Sequence, residues 1–340
     1  MMGKKKKSFW LRLILSVGLI AIVVANVNLD EVREILANSQ PGYLLLAYVI
    51  AIGDRILMAY KWNVLLRVLN IRISLFNAVA VYLKTSFLGL FLPATVGGDA
   101  LRAYAIAKEE YKLSDVVSSI LVERALGFAA LFAFALVSII LSIFVFGQSF
   151  FEGIWQLLWT FVALLVISVV LVLLSFNKAV LNRITTAVKN SRFANNVIVR
   201  KLGSVYTSYQ GYRSSKSQLA YFFILSLIEN LFPVMWTYSL SLAFGLDISL
   251  LYFFILVPIV LVLVRLPISL SGIGIQEGTF VYFLSLIGVA SSHALLLGAA
   301  SNVIGILSIL PGGIAYALGG LANRGEVSPP KPSPTLSGDG

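Results

Sequence analysis

Apolar residues run along this chain in long unbroken blocks, without the alternation of half-buried strands or one-faced surface helices. The blocks cover residues 9–25, 43–65, 75–92, 116–146, 155–174, 219–244, 250–266, 279–289 and 294–318. Most of them approach or exceed the about 20 residues with which an α-helix crosses the hydrocarbon of a bilayer. The pattern predicts an all-α polytopic membrane protein. Residues 1–8 form a basic N-terminus, 9–320 one transmembrane domain, and 321–340 a Pro- and Ser-rich tail expected to be disordered. The first block reads as an uncleaved span, because the chain that follows a signal peptide would not itself be this apolar.

The charges between the blocks set the number of crossings. Lys4 to Lys7 and Arg12 place the N-terminus in the cytoplasm, and the acids of loop 26–40 place that loop outside. The stretch 177–217 holds eight Lys or Arg and no acid. If every block crossed fully, this strongest basic signal would fall outside. The conflict disappears when 75–107 is a re-entrant hairpin that turns at Pro93, Gly97 and Gly98. Pro93 ends a helix, and the glycines permit a non-helical turn. A second hairpin is expected over 250–289, turning at Pro267, Gly272, Gly274 and Gly278, and entering from the opposite face. About six full spans plus two broken hairpins result, arranged as inverted repeats. Eight or nine simple spans is the other reading. Both termini are then cytoplasmic, in a multi-pass protein of the plasma membrane.

Composition sharpens this picture. Hydrophobic residues make up 59% of the chain and charged residues 12%, against about 25% charged in a soluble domain. Mean hydropathy is +0.93. A soluble enzyme, a disordered chain and a nucleic-acid module are disfavoured. The net charge of +11 is concentrated in short blocks, which suits loops at an anionic leaflet. Without cysteine there is no disulfide or thiolate chemistry, and with His293 as the single histidine there is no multi-histidine metal centre. No cofactor, metal set or catalytic nucleophile–base pair is expected.

With so few charges, those inside apolar blocks call for a reason. They are Asp54, Arg55, Lys84, Asp99, Arg102, Glu123, Arg124, Glu229, Arg265 and Glu277, five of each sign. Arg102, Arg124, Arg265 and Lys84 are the anion-binding candidates, since guanidinium matches phosphate in a bidentate fork and stays charged when buried. Glu277 and Asp99 stand where a half-helix begins, and either cap it or meet a cationic group. Asp54, Arg55 and Glu229 are candidates for a polar or proton path. Glu229 lies four residues before Pro233, which leaves a carbonyl of the span without its donor. Lys61, Arg67 and Arg72 read as cytoplasmic positives at the end of the second span.

Three motifs in order, Leu92-Pro93-Ala94-Thr95-Val96-Gly97-Gly98-Asp99-Ala100-Leu101-Arg102, Val122-Glu123-Arg124-Ala125-Leu126-Gly127 and Pro267 to Glu277, resemble the lysylphosphatidylglycerol synthase transmembrane, or flippase-like, family. The resemblance implies a membrane domain that moves lipid between leaflets. It carries Asp99, Arg102, Glu123, Arg124 and Glu277 over as site residues. Bifunctional members add a large soluble aminoacyl-transferase domain, for which the residues after the last block leave no room.

The expected function is translocation of a phospholipid or other lipid with a phosphate-bearing or aminoacylated head group, through a polar groove. The alternative is an integral membrane enzyme or enzyme subunit of phospholipid, glycolipid or polyprenyl-phosphate metabolism. Membrane phospholipids or glycolipids are the expected partners, with a separately encoded lipid-modifying enzyme as a further one and no nucleic acid.

Overall fold

A computed structural model describes residues 29–92, 97–107, 111–146, 153–177, 197–265 and 272–319. The first apolar block, the turn residues Pro93 and Pro267, most of the basic loop and the tail lie outside the described residues. Those described are all helical or loop, with thirteen α-helices among them. α1 (Leu29–Ala37) is a short amphipathic helix, and α2 (Pro41–Val68) a long one. α3 (Leu75–Gly89) and α4 (Gly97–Ala107) form the first hairpin. α5 (Leu113–Phe146) and α6 (Ile154–Ser175) follow, then α7 (Val197–Gln210). α8 (Lys216–Glu229) and α9 (Leu231–Ala243) divide one span, and α10 (Leu250–Arg265) and α11 (Ile275–Ser285) form the second hairpin. α12 (Ser291–Leu307) and α13 (Leu310–Gly319) divide the last span.

Five stretches are long and apolar enough to cross a bilayer: 41–68, 113–144, 155–175, 216–243 and 291–319. The two shorter apolar helices, α3 and α10, are the first arms of the two hairpins. Their second arms, α4 and α11, have 11 residues each, about 16 Å of helix against a hydrocarbon core of about 30 Å.

The bundle has a basic and an acidic end. Arg72 accepts a hydrogen bond from Tyr111 through its carbonyl, and Asp115 accepts one from Ser208 of α7. These contacts bring Arg72 and Lys112 together with α7 at one end. At the other, Gln40 N–H donates to the Ala243 carbonyl, and Glu31 pairs with Ser292 and His293. α3 begins just after Arg72, whereas α10 begins just after Asp247, so the hairpins start from opposite ends.

Packing follows from where the apolar residues fall. α9 lies along α2, α11 along α12, and α10 along α5. The main core gathers Phe134, Val234, Leu240, Phe253, Leu256, Phe280 and Leu297, all buried. By contrast α6 keeps Trp159, Leu171 and Leu173 exposed, as a lipid-facing helix should. α13 packs against α3 with its Gly312 on the α3 backbone: a Cβ there would lie 2.2 Å from the Leu83 carbonyl carbon.

Candidate functional site

α2 supplies the first part of the site. Asp54, Met58 and Lys61 recur at helical spacing and share one face. Asp54 sits at the middle of the 28-residue helix. It is 3% exposed, and its Oδ2 pairs with Arg55 Nη1 at 3.5 Å. Arg55 Nε donates to Ser308 Oγ at 2.9 Å. Lys61 is 2% exposed and forms an ion pair with Glu229 while also donating to Ser226 Oγ at 3.1 Å. This corrects the expectation that Lys61 lies at the cytoplasmic edge: α2 continues two turns past it to Val68.

The first hairpin and α5 supply the second part. Arg102 Nη2 lies 2.7 Å from Glu123 Oε2 and 3.2 Å from Asp99 Oδ1. Its Nη1 reaches Glu123 Oε1 at 3.3 Å, completing a bidentate fork. Asp99 uses its other oxygen for Arg124, whose Nε and Nη2 lie at 3.0 and 2.6 Å. The Arg102 guanidinium also lies over Trp62 and Tyr82, 4.5 and 4.9 Å from the ring centroids. Two aromatic faces and two carboxylates hold a cation that is itself 3% exposed. The neighbours Glu123 and Arg124 point apart, so each finds a partner on α4 and not the other.

These groups line two adjoining cavities. The smaller, about 90 Å³, is bounded by Lys61, Tyr82, Asp99, Arg102, Glu123 and Arg124. The larger, about 290 Å³, is bounded by Asp54, Arg55, Asn230, Gln276, Ser301 and Asn302, among others. Met58, Glu229 and Arg265 line both. The joint between the cavities is therefore one thioether, one carboxylate already paired with Lys61, and one guanidinium. Arg265 ends α10 and lies over Phe128 at 5.4 Å. Among the described residues it makes no salt bridge. Asp54, which also lines the larger cavity, has its Oδ1 buried without a hydrogen-bond donor among the described residues.

The remaining expected residues divide. Glu277 is 7% exposed and accepts from Gly274 N–H at 2.7 Å, so it caps α11. Its second oxygen is 3.5 Å from Asn302 Nδ2, and the neighbouring Gln276 lines the cavity instead. Glu277→Ala is expected to lower thermal stability by about 1 kcal/mol through the lost cap, with Glu277→Gln, which keeps an acceptor, losing less. Lys84 is buried in α3 and lines neither cavity. Gly272 and Gly274 take positive φ values of 79° and 83° in the second turn, as their placement required. Gly97 and Gly98 open α4, and Gly278 lies in the first turn of α11, not in the connection before it.

Sequence reasoning passed over Lys61, Trp62, Tyr82 and Gln276. For Lys61 a signal existed, its seven-residue spacing from Asp54. The aromatic seat of Arg102 left none.

A family model described as the lysylphosphatidylglycerol synthase TM region matches residues 9–312. A UPF0104 membrane protein of Methanocaldococcus jannaschii is 24% identical, over 83% of this chain and 86% of its own length. A second UPF0104 membrane protein, from Methanothermobacter thermautotrophicus, is 22% identical, over 89% of this chain and 93% of its own.

Proposed function

The chain belongs to the lysylphosphatidylglycerol synthase transmembrane-region family, and from that membership we propose that it carries a lipid with a phosphate-bearing head group between leaflets. The head group passes through the two joined cavities while the acyl chains stay in the bilayer. One observation supports this most: Arg265, which lines both cavities and has no carboxylate partner among the described residues. The charges lining the cavities are Asp54, Asp99, Glu123 and Glu229 against Arg55, Lys61, Arg102, Arg124 and Arg265. Four pairs compensate each other, and one positive charge is left over. A phosphodiester carries one negative charge and would neutralise it in a bidentate contact.

The hairpins supply the means of gating. Leu90, beside the tip of α3, and Gln276, at the start of α11, both face the larger cavity. Broken helices that enter from opposite faces and meet near the midplane are the architecture of inverted-repeat transporters. The basic end of the bundle is cytoplasmic in this reading, with both termini on that side, and 9–320 acts as a single transmembrane domain in the cell membrane. A separately encoded enzyme would make any aminoacylated or glycosylated lipid that the protein moves.

The test is a reconstituted vesicle assay with fluorescent phospholipid, read by quenching from outside and by lipid mass. The protein is expected to speed leaflet exchange with no change in lipid mass. Arg265→Gln should slow exchange roughly 10- to 150-fold, the equivalent of the ~1.5–3 kcal/mol of a charge-assisted hydrogen bond. Exchange no faster than in protein-free vesicles would overturn the reading, and a changed lipid mass would turn it into the enzymatic one.

A further inference from the structure

α9 has two faces with different surroundings. Pro233, Trp236 and Thr237 face the larger polar cavity, with Asn230 just before them at the break. On the opposite face, Leu231, Phe232, Met235, Ser239 and Leu242 line a separate groove of about 330 Å³. Leu46 and Ile50 of α2 form its other wall. Leu46 is 47% exposed and Ile228, at its edge, 43%, so the groove opens towards lipid. Its lining is apolar except for Tyr238 and Ser239, and the Ser239 hydroxyl is occupied with the Tyr43 carbonyl at 2.9 Å. Such a surface suits hydrocarbon and has little for a head group.

The groove has a floor and a measurable depth. The Phe232 ring lies on the α2 backbone at Gly53, where a Cβ would be 3.0 Å from Cε1. This contact is level with the break at Asn230, near the middle of the span. From Phe232 to Leu242 the helix rises about 15 Å, half of a hydrocarbon core of about 30 Å. Beyond the floor the seam between α2 and α8 is closed by the hydroxyl contact of Tyr60 and Tyr221 at 3.0 Å. From Phe232 to Leu242 the groove is thus about as long as one leaflet is thick.

We infer that this groove between α2 and α9 is a binding site for one acyl chain of a phospholipid, in the leaflet at the acidic end of the bundle. The chain's own first apolar block is the competing occupant. It joins the described protein at Leu29, and α1 carries Glu31 onto Ser292 of α12, whereas the groove is formed without α12. The site lies across α9 from the head-group path and stands or falls separately from it.

A photolabelling experiment tests it. The full-length protein is placed in vesicles of phosphatidylethanolamine and phosphatidylglycerol, doped with a phospholipid bearing a diazirine near the end of one acyl chain. After illumination, adducts are mapped by mass spectrometry. Adducts should concentrate at Ile50, Phe232 and Met235, about tenfold above those on residues 169–171 of α6, a preference worth ~1.4 kcal/mol. Met235→Trp and Ile50→Trp, which fill the groove from different helices, should each remove that excess and leave α6 labelling unchanged. Labelling of Arg265→Gln should match the unmodified protein even where exchange fails. Equal labelling of the groove and α6 would overturn the proposal, as would an excess that survives both tryptophans. Cross-links between Met235 and residues 9–25 would overturn it in favour of the first apolar block.

Discussion

Arg102→Ala is expected to abolish lipid exchange and to destabilise the protein by about 3–5 kcal/mol, the range for removing one partner of a buried ion pair. Arg102 is the hub of its cluster, binding Glu123 through both terminal nitrogens and Asp99 through one. Its loss strands the Glu123 carboxylate between α4 and α5 and leaves a gap between Trp62 and Tyr82. The result alone would not separate folding from transport. The double variant Arg102→Met with Glu123→Leu does so, because apolar replacement of both partners is often neutral or stabilising. Its thermal midpoint should return to near that of the unmodified protein while exchange stays absent. Exchange that recovers together with stability would reduce the cluster to a structural clamp.

The second large effect is expected at Gly312. A Cβ there would lie 2.2 Å from both the carbonyl carbon and the oxygen of Leu83, and 2.7 Å from Lys84 N. Backbone cannot swing aside as a side chain does, so α13 would have to lift from α3. Gly312→Ala should therefore cost at or beyond the about 1–3 kcal/mol usual for overpacking. The measurement is thermal unfolding of the purified protein in detergent. Gly203→Ala in α7 is the control, since a Cβ there meets nothing within 4 Å, and it should be neutral or stabilising by up to about 1 kcal/mol. Equal midpoints for the two variants would show that α13 can move off α3 at little cost.

The helices were legible because unbroken apolar runs leave few alternatives in a bilayer. Breaks were less so. Pro233 marks the divided span correctly, but the interruption lies at Asn230. The reason is that a proline deprives the carbonyl four residues earlier, here that of Glu229, of its donor. Individual site charges were legible because each contradicts its apolar surroundings. Their pairings were not, because Lys61 and Glu229 are 168 residues apart and Arg102 and Glu123 are 21 apart. Which carboxylate meets which cation is decided by the packing of α2, α4, α5 and α8, and no local pattern records it. Lys61 escaped for a related reason. It sits near the end of its apolar run and next to further positives, so its surroundings resembled a loop until α2 extended to Val68.

The pairing of eight of the nine cavity charges bears on how the protein meets the membrane potential. A charge crossing the full field exchanges about 2.3 kcal/mol per 100 mV. The Asp99–Arg102–Glu123–Arg124 cluster sums to zero, as do Asp54 with Arg55 and Lys61 with Glu229. Helices that rock with these pairs intact carry no net charge through the field from them. Among the cavity charges, voltage then has a hold only at Arg265. A phosphate docked there would cancel even that, so the lining of the loaded path would move as an electrically silent set.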